Sequence, residues 1–368
     1  MKKIITIIGA RPQFIKAAIL SRALKGKYEE ILVHTGQHFD PGMSDIFFQE
    51  LEIPAPRYNL GISGGTHGAM TGAMLIGVEK ILLAEKPDAV LLYGDTNSTI
   101  AGALAAVKLH IPVFHVEAGN RLGTLDNPEE VNRITTDHLS ALRFCASQSA
   151  YDFLCKENLS GNSFVVGNVM YDAFLYFSQK STAALQGLKD FDGNLINIPE
   201  KFCYMTCHRA ENTSEDKCLL EIFKAVNSLK YPTIYPVHPR NQERALRLYR
   251  QHDLKNIILI PPVGYLTSVA LTKHAERIVT DSGGLQCEAF FAGVPCITVF
   301  DHVVWPETLA GNRNQMSSAN TVEICKKFSV KQSVSKDYLP FGDGNACKKI
   351  VDEIDLYFQK LNMEKNNG

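Results

Sequence analysis

The stretch IITIIGARPQFIKAAILSRALK, residues 4–25, joins a short apolar run directly to a helical segment. Eight more apolar runs follow, with helical segments among them: EILVH (30–34), AVLLY (89–93), PVFHV (112–116), CYMTC (203–207), TIYPV (233–237), NIILI (256–260), RIVTD (277–281) and PCITV (295–299). The runs are continuous rather than alternating, which is typical of strands buried on both faces of a parallel sheet. The sequence therefore predicts an α/β fold of doubly wound sheets covered by helices.

The runs form two series, separated by residues 180–200, where periodicity is lost and Gly, Asn, Asp and Pro accumulate. We expect a Rossmann-like domain over 1–180, a connection over 181–200 and a second Rossmann-like domain over 201–344. A length of 368 residues suits two domains of roughly 150 residues each. The tail carries an apolar helical stripe that must pack on another element. The stripe consists of Ile350, Ile354, Leu356, Tyr357 and Leu361.

The charge is nearly balanced, with 38 Lys+Arg against 39 Asp+Glu. This balance excludes the broad basic surface expected of a protein that binds nucleic acid or an anionic membrane. The first apolar run is too short for a signal peptide, and no run reaches the length of about 18 apolar residues that spans a membrane. We therefore expect a cytoplasmic protein. Its nine cysteines form no CxxC pair, so we expect them to be reduced and mostly buried.

Ligands of doubly wound sheets bind beyond the carboxyl ends of the strands, so the residues after each run are candidates for a site. Arg11 follows the first run at a helix start with Pro12 in its favoured position, and Lys16 lies a turn later. These cations and the helix amides would suit a phosphate. The alternative is an ordinary turn with exposed cations. The motif is not GxGxxG, so the dinucleotide fingerprint is absent.

The second half has a counterpart after RIVTD, where Ser282, Gly283 and Gly284 open another helix. Backbone N–H groups can approach an anion closely there, and the Ser282 hydroxyl can donate to it. We favour this anion site over a simple turn. Glu288 on the same helix has a carboxylate that could accept both hydroxyls of a ribose.

Three more polar residues follow strands of the second half: His208 and Arg209 after CYMTC, and His238 after TIYPV. Two imidazoles and a guanidinium beside the serine-glycine turn make a plausible diphosphate clamp. The CxxxCH spacing does not match a zinc site, and strand alternation directs Cys203 and Cys207 into a core. We therefore expect no metal.

Acidic residues follow two runs of the first half. Asp95 comes after AVLLY and Glu117 after PVFHV, so both carboxylates should lie at neighbouring strand ends. Either acid could instead cap the next helix. This alternative is serious for Asp95, because a helical segment begins at once, and weaker for Glu117. Glu129 belongs to Asn127-Pro128-Glu129-Glu130, which resembles a capped helix start, so the residues alone indicate a structural role.

Seven segments occur in order from residue 9 to about 315: GARPQFIKAA, HTGQH, GDTNST, HVEAG, PEEVNRITTDH, CHRAEN and TDSGGLQCEAFFAG. Together they resemble the non-hydrolysing UDP-N-acetylglucosamine 2-epimerases; the hydrolysing epimerases begin with a GSRAEY-like segment instead. The resemblance implies a GT-B architecture, with two Rossmann-like domains facing a cleft and a C-terminal helix over 345–368 that crosses back to the first domain. It also implies a UDP-sugar in the cleft, a homodimer, no cofactor and a role in surface polysaccharide precursor synthesis.

Carried over residue by residue, the resemblance assigns two sets of roles. The expected UDP contacts are Arg11, His208, Ser282, Gly283, Gly284 and Glu288, with Glu288 on the ribose. The expected catalytic set is Lys16, Asp95, Glu117, Glu129 and His208. The catalytic role of Glu129 comes from the resemblance alone.

Three segments depart from the family pattern. Val304-Trp305-Pro306-Glu307 stands where many members have an Arg in an ERPE-like segment, so one phosphate contact is missing or replaced. Gln37–Met43 differs from the QHRxM of members regulated by their own substrate, which puts that allosteric site in doubt. The loop NRLGTLDNPEE after HVEAG differs from the usual LRTG or LRSF version, which leaves sugar recognition open.

The substrate has an alternative. Relatives that act on UDP-2,3-diacetamido-2,3-dideoxyglucuronate share the segments GARPQFIK, HTGQHFD and MSDIFF. The C2 proton of a hexosamine is too weakly acidic for a carboxylate alone, and oxidation at C3 would need a nicotinamide site, which is not seen. The remaining route couples proton removal at C2 to departure of UDP, with an acid/base group on each face of the ring. Which carboxylate serves which face stays open, and a GT-B glycosyltransferase and a UDP-sugar sensor remain alternatives.

Overall fold

Each half of the chain folds around its own parallel β-sheet, as the continuous apolar runs predict. The computed structural model describes residues 1–37, 48–303, 305–335 and 337–367. The chain divides into a first unit, Met1–Ala173 with Leu339–Gly368, and a second unit, Phe174–Tyr338.

The first unit contains a seven-stranded sheet in the order β3-β2-β1-β4-β5-β6-β7, with every neighbouring pair parallel. Its strands are β1 Lys3–Ile8, β2 Glu29–His34, β3 Tyr58–Asn59, β4 Ala89–Tyr93, β5 Val113–Ala118, β6 Leu142–Cys145 and β7 Ser163–Val165. The helices between them are α1 Arg11–Leu24, α2 His67–Glu85, α3 Asn97–Lys108, α4 Pro128–Leu139 and α5 Gln148–Lys156, and α6 Val169–Ser178 follows β7 and continues into the second unit. Isoleucines and leucines of β1, β2 and β4 form a core with apolar side chains of α2 and α3.

The second unit contains a six-stranded parallel sheet in the order β10-β9-β8-β11-β12-β13. Its strands are β8 Cys203–Thr206, β9 Thr233–Pro236, β10 Ile257–Ile260, β11 Arg277–Thr280, β12 Cys296–Val299 and β13 Asn314–Ser317. The helices are α7 Ala210–Thr213, α8 Asp216–Asn227, α9 Gln242–Gln251, α10 Tyr265–His274, α11 Gly283–Ala292 and α12 Thr321–Phe328. Short 3₁₀ segments occur at Thr182–Leu185, Pro239–Asn241 and Pro306–Asn312.

Strand order reverses once in each sheet, between β1 and β4 in the first unit and between β8 and β11 in the second. At such a point, neighbouring strands send their helices to opposite faces of the sheet and open a crevice beyond their carboxyl ends. The turns after these four strands contain most of the predicted site residues. The topology of each unit therefore places them where a ligand has access.

The last helix, α13 Ala346–Asn367, belongs to the first unit and confirms the predicted return of the chain. The Asp172 carboxylate accepts hydrogen bonds from the first amides of this helix, at 3.2 and 2.8 Å. The Phe358 ring packs 5.8 Å from Phe114. The prediction is wrong for one member of the apolar stripe, because Leu356 is 47% exposed. Val351 and Phe358 are buried instead, since they lie on the same face as Ile350 and Ile354.

All nine predicted runs are strands, but the sequence did not reveal β3, β6, β7 or β13. These strands are short, and β6 and β13 interrupt their apolar character with polar residues. In β6 the buried Arg143 guanidinium donates to Ser163 Oγ at 3.0 Å and to the Gly161 carbonyl at 2.9 Å. A strand that satisfies a buried cation in this way has no apolar run to identify it.

The cysteines agree with the expectation of reduced and mostly buried thiols. All nine cysteines are free thiols, and six of them are buried, including Cys203 and Cys207. Burial raises the pKa of the Cys203 thiol to about 11. Among the described helices, none has the length and apolar character needed to cross a membrane.

Candidate active site

The turn from β1 into α1 is locked to the end of β4. Gln13 Oε1 accepts from the Gly9 amide at 2.8 Å, and Gln13 Nε2 donates to the Tyr93 carbonyl at 2.7 Å. Gly9 itself permits no side chain, because a Cβ there would lie 2.2 Å from Ser98 Oγ. These contacts set the position of the α1 N-terminus, where Arg11 is the first helical residue and is half-buried.

One turn along α1, the buried Lys16 ammonium forms an ion pair with the Glu117 carboxylate. Glu117 lies in a β-bulge, where the register of β5 against β6 shifts between Val116 and Ala118. Its φ of 71° is left-handed, a conformation that costs a non-glycine residue about 1–2 kcal/mol. Bulges re-aim side chains, and strained residues of this kind often serve function. Here the bulge directs the Glu117 carboxylate to Lys16.

Asp95 follows β4 and is paired with a different cation. Arg133 Nε of α4 donates to Asp95 Oδ2 at 2.8 Å, and Asn132 Nδ2 donates to the Asp95 carbonyl at 2.8 Å. Thr96 caps the following helix, since its hydroxyl accepts from the Thr99 amide. The helix-capping role considered for Asp95 is therefore filled by its neighbour.

The start of α4 separates two adjacent glutamates. Asn127 Oδ1 accepts from the Glu129 amide at 2.9 Å, which is the predicted capped helix start, and the Glu129 side chain is exposed. Glu130 is buried, pairs with Arg133 and accepts from the amides of Leu122 and Gly123 at 2.7 and 3.0 Å. Glu130 was not among the sequence candidates. Its spacing of three residues from Arg133 was the available signal.

In the second unit, Asp281 is a buried residue that the sequence reasoning missed. Its carboxylate accepts from the amides of His208 and Arg209, each at 2.9 Å, and lies 3.0 Å from His208 Nδ1. Burial alone would raise the pKa of Asp281, but hydrogen bonds and the charge of His208 lower it to about 2. Its position at the end of RIVTD, beside the serine-glycine turn, was the signal that could have identified it.

The contact with Asp281 determines which ring nitrogen of His208 can meet a ligand. Because Nδ1 is engaged, Nε2 is the ring nitrogen left to meet a ligand, and the side chain is 41% exposed. The His238 ring stacks on it with centroids 6.0 Å apart. The Arg209 guanidinium lies 3.7 Å from the Phe300 ring centroid, and its Nε donates to the Asp281 carbonyl at 2.7 Å.

Ser282 caps α11, since its Oγ accepts from the Leu285 amide at 3.3 Å. Gly283 and Gly284 are the first helical residues, and amides at a helix start point outward without intrahelical partners. A Cβ on Gly284 would meet only Ser282 Oγ, at 3.7 Å. The fold therefore does not require glycine at this position. Glu288 lies on the same helix and is buried.

Each sheet thus gathers its own part of the predicted site. In the first unit, Lys16 and Glu117 are in contact and Asp95 ends the adjoining strand, while Arg11 starts α1 and Glu129 starts α4. In the second unit, the residues after β8, β9 and β11 are His208, Arg209, His238, Ser282, Gly283 and Gly284. The first set can exchange protons, and the second can donate hydrogen bonds to an anion.

The departures from the family pattern have different outcomes. Trp305 is buried, and its carbonyl accepts from Thr308 Oγ1 at 2.7 Å. The same hydroxyl accepts from Gln286 Nε2 of α11 at 2.7 Å, so this segment is packed into the second unit behind the serine-glycine turn. Val304 lies outside the described residues. Residues 38–43, which belong to the segment considered for allostery, also lie outside them.

A family model described as UDP-N-acetylglucosamine 2-epimerase matches residues 22–355. The chain belongs to this family. A UDP-N-acetylglucosamine 2-epimerase homolog of Methanococcus maripaludis is 45% identical over 357 residues, covering 96% of this chain and 99% of the relative. The UDP-2,3-diacetamido-2,3-dideoxy-D-glucuronate 2-epimerase of Pseudomonas aeruginosa is 44% identical over 362 residues, covering 96% and 99%.

The fold agrees with solved structures. The crystal structure of Methanocaldococcus jannaschii UDP-GlcNAc 2-epimerase in complex with UDP-GlcNAc and UDP matches with a TM-score of 0.84 and 38% identity, covering 96% of this chain and 99% of that one. The predicted family and its architecture of two Rossmann-like domains, known as GT-B, are confirmed. This chain is accordingly an enzyme of the epimerase family.

Proposed function

We propose that this protein inverts C2 of a UDP-N-acetylhexosamine, converting UDP-GlcNAc to UDP-ManNAc for surface polysaccharide precursors. The observation that carries the proposal is the pair of strand-end carboxylates, Glu117 held by buried Lys16 and Asp95 held by Arg133. Each acid contacts a cation, and Arg133 also pairs with the buried Glu130, so positive charge lies beside both carboxylates. We further propose that the enzyme acts in the cytoplasm as a homodimer and without a cofactor.

The proposed reaction has two halves that share one intermediate. A base removes the proton from C2 while the bond from C1 to the UDP oxygen breaks, which leaves a C1–C2 double bond in 2-acetamidoglucal and UDP still bound to the enzyme. The UDP oxygen then re-forms its bond to C1 while an acid delivers a proton to C2 from the opposite face. The cycle needs no oxidant, and one proton leaves and one returns.

We assign the proton transfers to the first unit. Asp95, Glu117 and Glu129 are the carboxylates available, and Lys16 balances the charge of Glu117. General acids and bases of this kind contribute about 10²–10⁴-fold to rate. Glu129 is exposed at the start of α4, so its carboxylate is accessible to a sugar.

We assign the departing UDP to the second unit, with Arg11 of the first unit as a further phosphate contact. His208 can donate from Nε2 to the diphosphate, and the outward amides of Gly283 and Gly284 can stabilise its growing negative charge. Ser282 can donate through its hydroxyl hydrogen even while its oxygen caps α11. Glu288 can accept the two ribose hydroxyls.

We expect the wild-type enzyme to convert UDP-GlcNAc to UDP-ManNAc in deuterium oxide with deuterium entering C2. Proton NMR of the anomeric and C2 signals measures both product and exchange. Product formed without deuterium at C2 would refute the elimination route. Transfer of the sugar to an added acceptor, with no isomerisation of UDP-GlcNAc alone, would instead identify a glycosyltransferase.

The same assay decides the substrate. The Pseudomonas aeruginosa relative is named for the diacetamido-glucuronate sugar, so UDP-2,3-diacetamido-2,3-dideoxyglucuronate is the alternative to UDP-GlcNAc. We expect the higher kcat/KM with UDP-GlcNAc. A higher value with the diacetamido-uronate would keep the mechanism and replace the substrate.

Gly284→Ala should weaken UDP binding by about tenfold, or about 1.4 kcal/mol, because the added methyl group keeps the diphosphate from the α11 amides. The fold should not suffer, since the Cβ has room, and alanine in place of a helical glycine stabilises by about 0.5–1 kcal/mol. Calorimetric titration with UDP and urea unfolding measure the two effects. Gly72→Ala on α2, where a Cβ would meet nothing within 4 Å, is the control. Unchanged UDP affinity in Gly284→Ala would contradict the assignment.

A further inference from the structure

Behind the strand ends of the first unit lies a fully buried His–Asp pair that the proposed chemistry does not yet use. His115 Nδ1 lies 2.7 Å from Asp137 Oδ1, and His115 Nε2 lies 2.7 Å from the Gly94 carbonyl oxygen. Both side chains are 0% exposed. A carbonyl oxygen can only accept a hydrogen bond, so His115 Nε2 carries a hydrogen and donates it to Gly94. Asp137 holds the other ring nitrogen, Nδ1.

The other contacts of Asp137 keep its charge in place. Its Oδ2 accepts from the Gly119 amide at 3.0 Å and from Arg121 Nη1 at 2.7 Å. Burial alone would raise the pKa of Asp137, but the charges and hydrogen bonds of His115 and Arg121 lower it. Arg121 continues to Glu157 through two further bonds of 2.7 Å. The other ionisable groups that interact with Asp137 are Arg143 and Cys145.

The pair holds the backbone on both sides of the two acids. Gly94, which accepts from His115, directly precedes Asp95, and Gly119, which donates to Asp137, follows Glu117 by two residues. Gly94, Glu117 and Gly119 all have positive φ, at 60°, 71° and 86°. Glycine adopts positive φ without strain, so among these three residues only Glu117 needs surrounding contacts to hold its conformation. His115 of β5 and Asp137 of α4 supply contacts to the glycines on either side of the two acids.

We infer that His115 and Asp137 are positioning residues for the C2 chemistry. Their hydrogen bonds to the Gly94 carbonyl and the Gly119 amide hold the Asp95 turn and the Glu117 bulge at a fixed spacing. The inference rests on the proposed function, because only proton transfer at C2 makes the spacing of these acids matter. Neither residue touches the sugar in this scheme.

Asp137→Asn is the sharpest test, because it removes the charge while keeping the shape. The asparagine side chain is neutral, so the hydrogen bonds that Gly119, Arg121 and His115 make to residue 137 lose the charge that strengthens them and hold the backbone less firmly. We expect kcat with UDP-GlcNAc to fall about tenfold or more, since small misplacements of reacting groups cost up to about 10²-fold. KM and the UDP dissociation constant should stay near the wild-type values. His115→Gln is the second variant and should show the same split.

Nitrogen-15 NMR of histidine-labelled protein reads the pair directly. Because His115 Nε2–H donates to the buried Gly94 carbonyl, the wild type should show a slowly exchanging histidine ring N–H proton that exchanges faster in Asp137→Asn and is absent from His115→Gln. Glu157→Gln is the matched control, since it removes a carboxylate bound to Arg121 without touching His115, Gly94 or Gly119. It should retain both the signal and kcat.

The outcomes distinguish a failure of the positioning inference from a failure of the proposed function. If the wild type incorporates deuterium at C2 and both variants keep wild-type kcat, the positioning inference is overturned and the proposed function stands. If the variants lose kcat, KM and UDP binding together, or fail to fold, the pair is merely structural and the inference is again overturned. If the wild type itself shows no exchange, the proposed function fails and the inference fails with it.

Discussion

Glu117→Gln lowers kcat by about 10²–10⁴-fold, the usual loss when a general acid or base is removed. Glutamine has the shape of glutamate, and its amide oxygen can still accept from Lys16, so the bulge and the ion-pair geometry are conserved. It cannot accept or release a proton at C2. Proton NMR of UDP-GlcNAc turnover measures kcat, and calorimetric titration with UDP should show that binding is retained.

Glu30→Gln is the matched control for that substitution. Glu30 is also a largely buried glutamate of the first unit, and burial raises its pKa, although the hydrogen bond from Thr6 Oγ1 lowers it in part. It lies near the start of β2, at the opposite end of the strands from Glu117. We expect wild-type kcat from this variant. A kcat near the wild-type value in Glu117→Gln would show that Glu117 exchanges no proton with the substrate.

Asp281→Asn weakens UDP binding by about 10- to 100-fold, because a hydrogen bond between charged partners is worth about 1.5–3 kcal/mol. The asparagine amide cannot accept from the two backbone amides and from His208 Nδ1 as the carboxylate does. His208 and Arg209 would then lose the orientation in which they face the diphosphate. Calorimetric titration with UDP measures the change, and Asp253→Asn on an exposed loop is the control. Unaltered affinity in Asp281→Asn would remove His208 from the UDP contacts.

The same variant should lose about 2 kcal/mol of stability at neutral pH, since one pKa unit corresponds to about 1.4 kcal/mol. The pKa of Asp281 falls from 3.8 to about 2 on folding. The folded state therefore favours the carboxylate, and this stabilisation is complete above about pH 4 and is lost as the pH falls toward about 2. Urea unfolding at neutral and acidic pH should show the difference between wild type and variant shrinking with acidification. A difference that grows toward low pH would contradict this origin.

Much of the molecule could be predicted because its signals are local. Continuous apolar runs identify buried parallel strands. The residues Arg11-Pro12 and Ser282-Gly283-Gly284 predict the turns that follow β1 and β11. Glu129 shows the limit of this reasoning. Its neighbours predict the capped helix start that the structure contains, but they carry no sign of chemistry, and its catalytic role comes only from the family.

The sequence does not predict which distant residues contact the buried carboxylates. His115 meets Asp137 from 22 residues away, and Asp281 meets His208 from 73 residues away. Nothing in the local sequence specifies which buried cation will face which carboxylate. Glu129 and Glu130 are adjacent glutamates in the first turn of α4, yet only Glu130 is buried, since one residue along a helix turns a side chain by about 100°.

The sequence by itself determined two parallel sheets, the turns at which they reverse, and the residue types available at those turns. These properties follow from hydrophobic periodicity and backbone preference, which act over a few neighbouring residues. Only the tertiary structure decided that Lys16 pairs with Glu117, that Arg133 holds Asp95, and that the His115–Asp137 pair binds the backbone beside both acids. Such pairings depend on strands that are distant in sequence becoming adjacent in a sheet, and removing one partner is costly because it leaves a buried charge uncompensated.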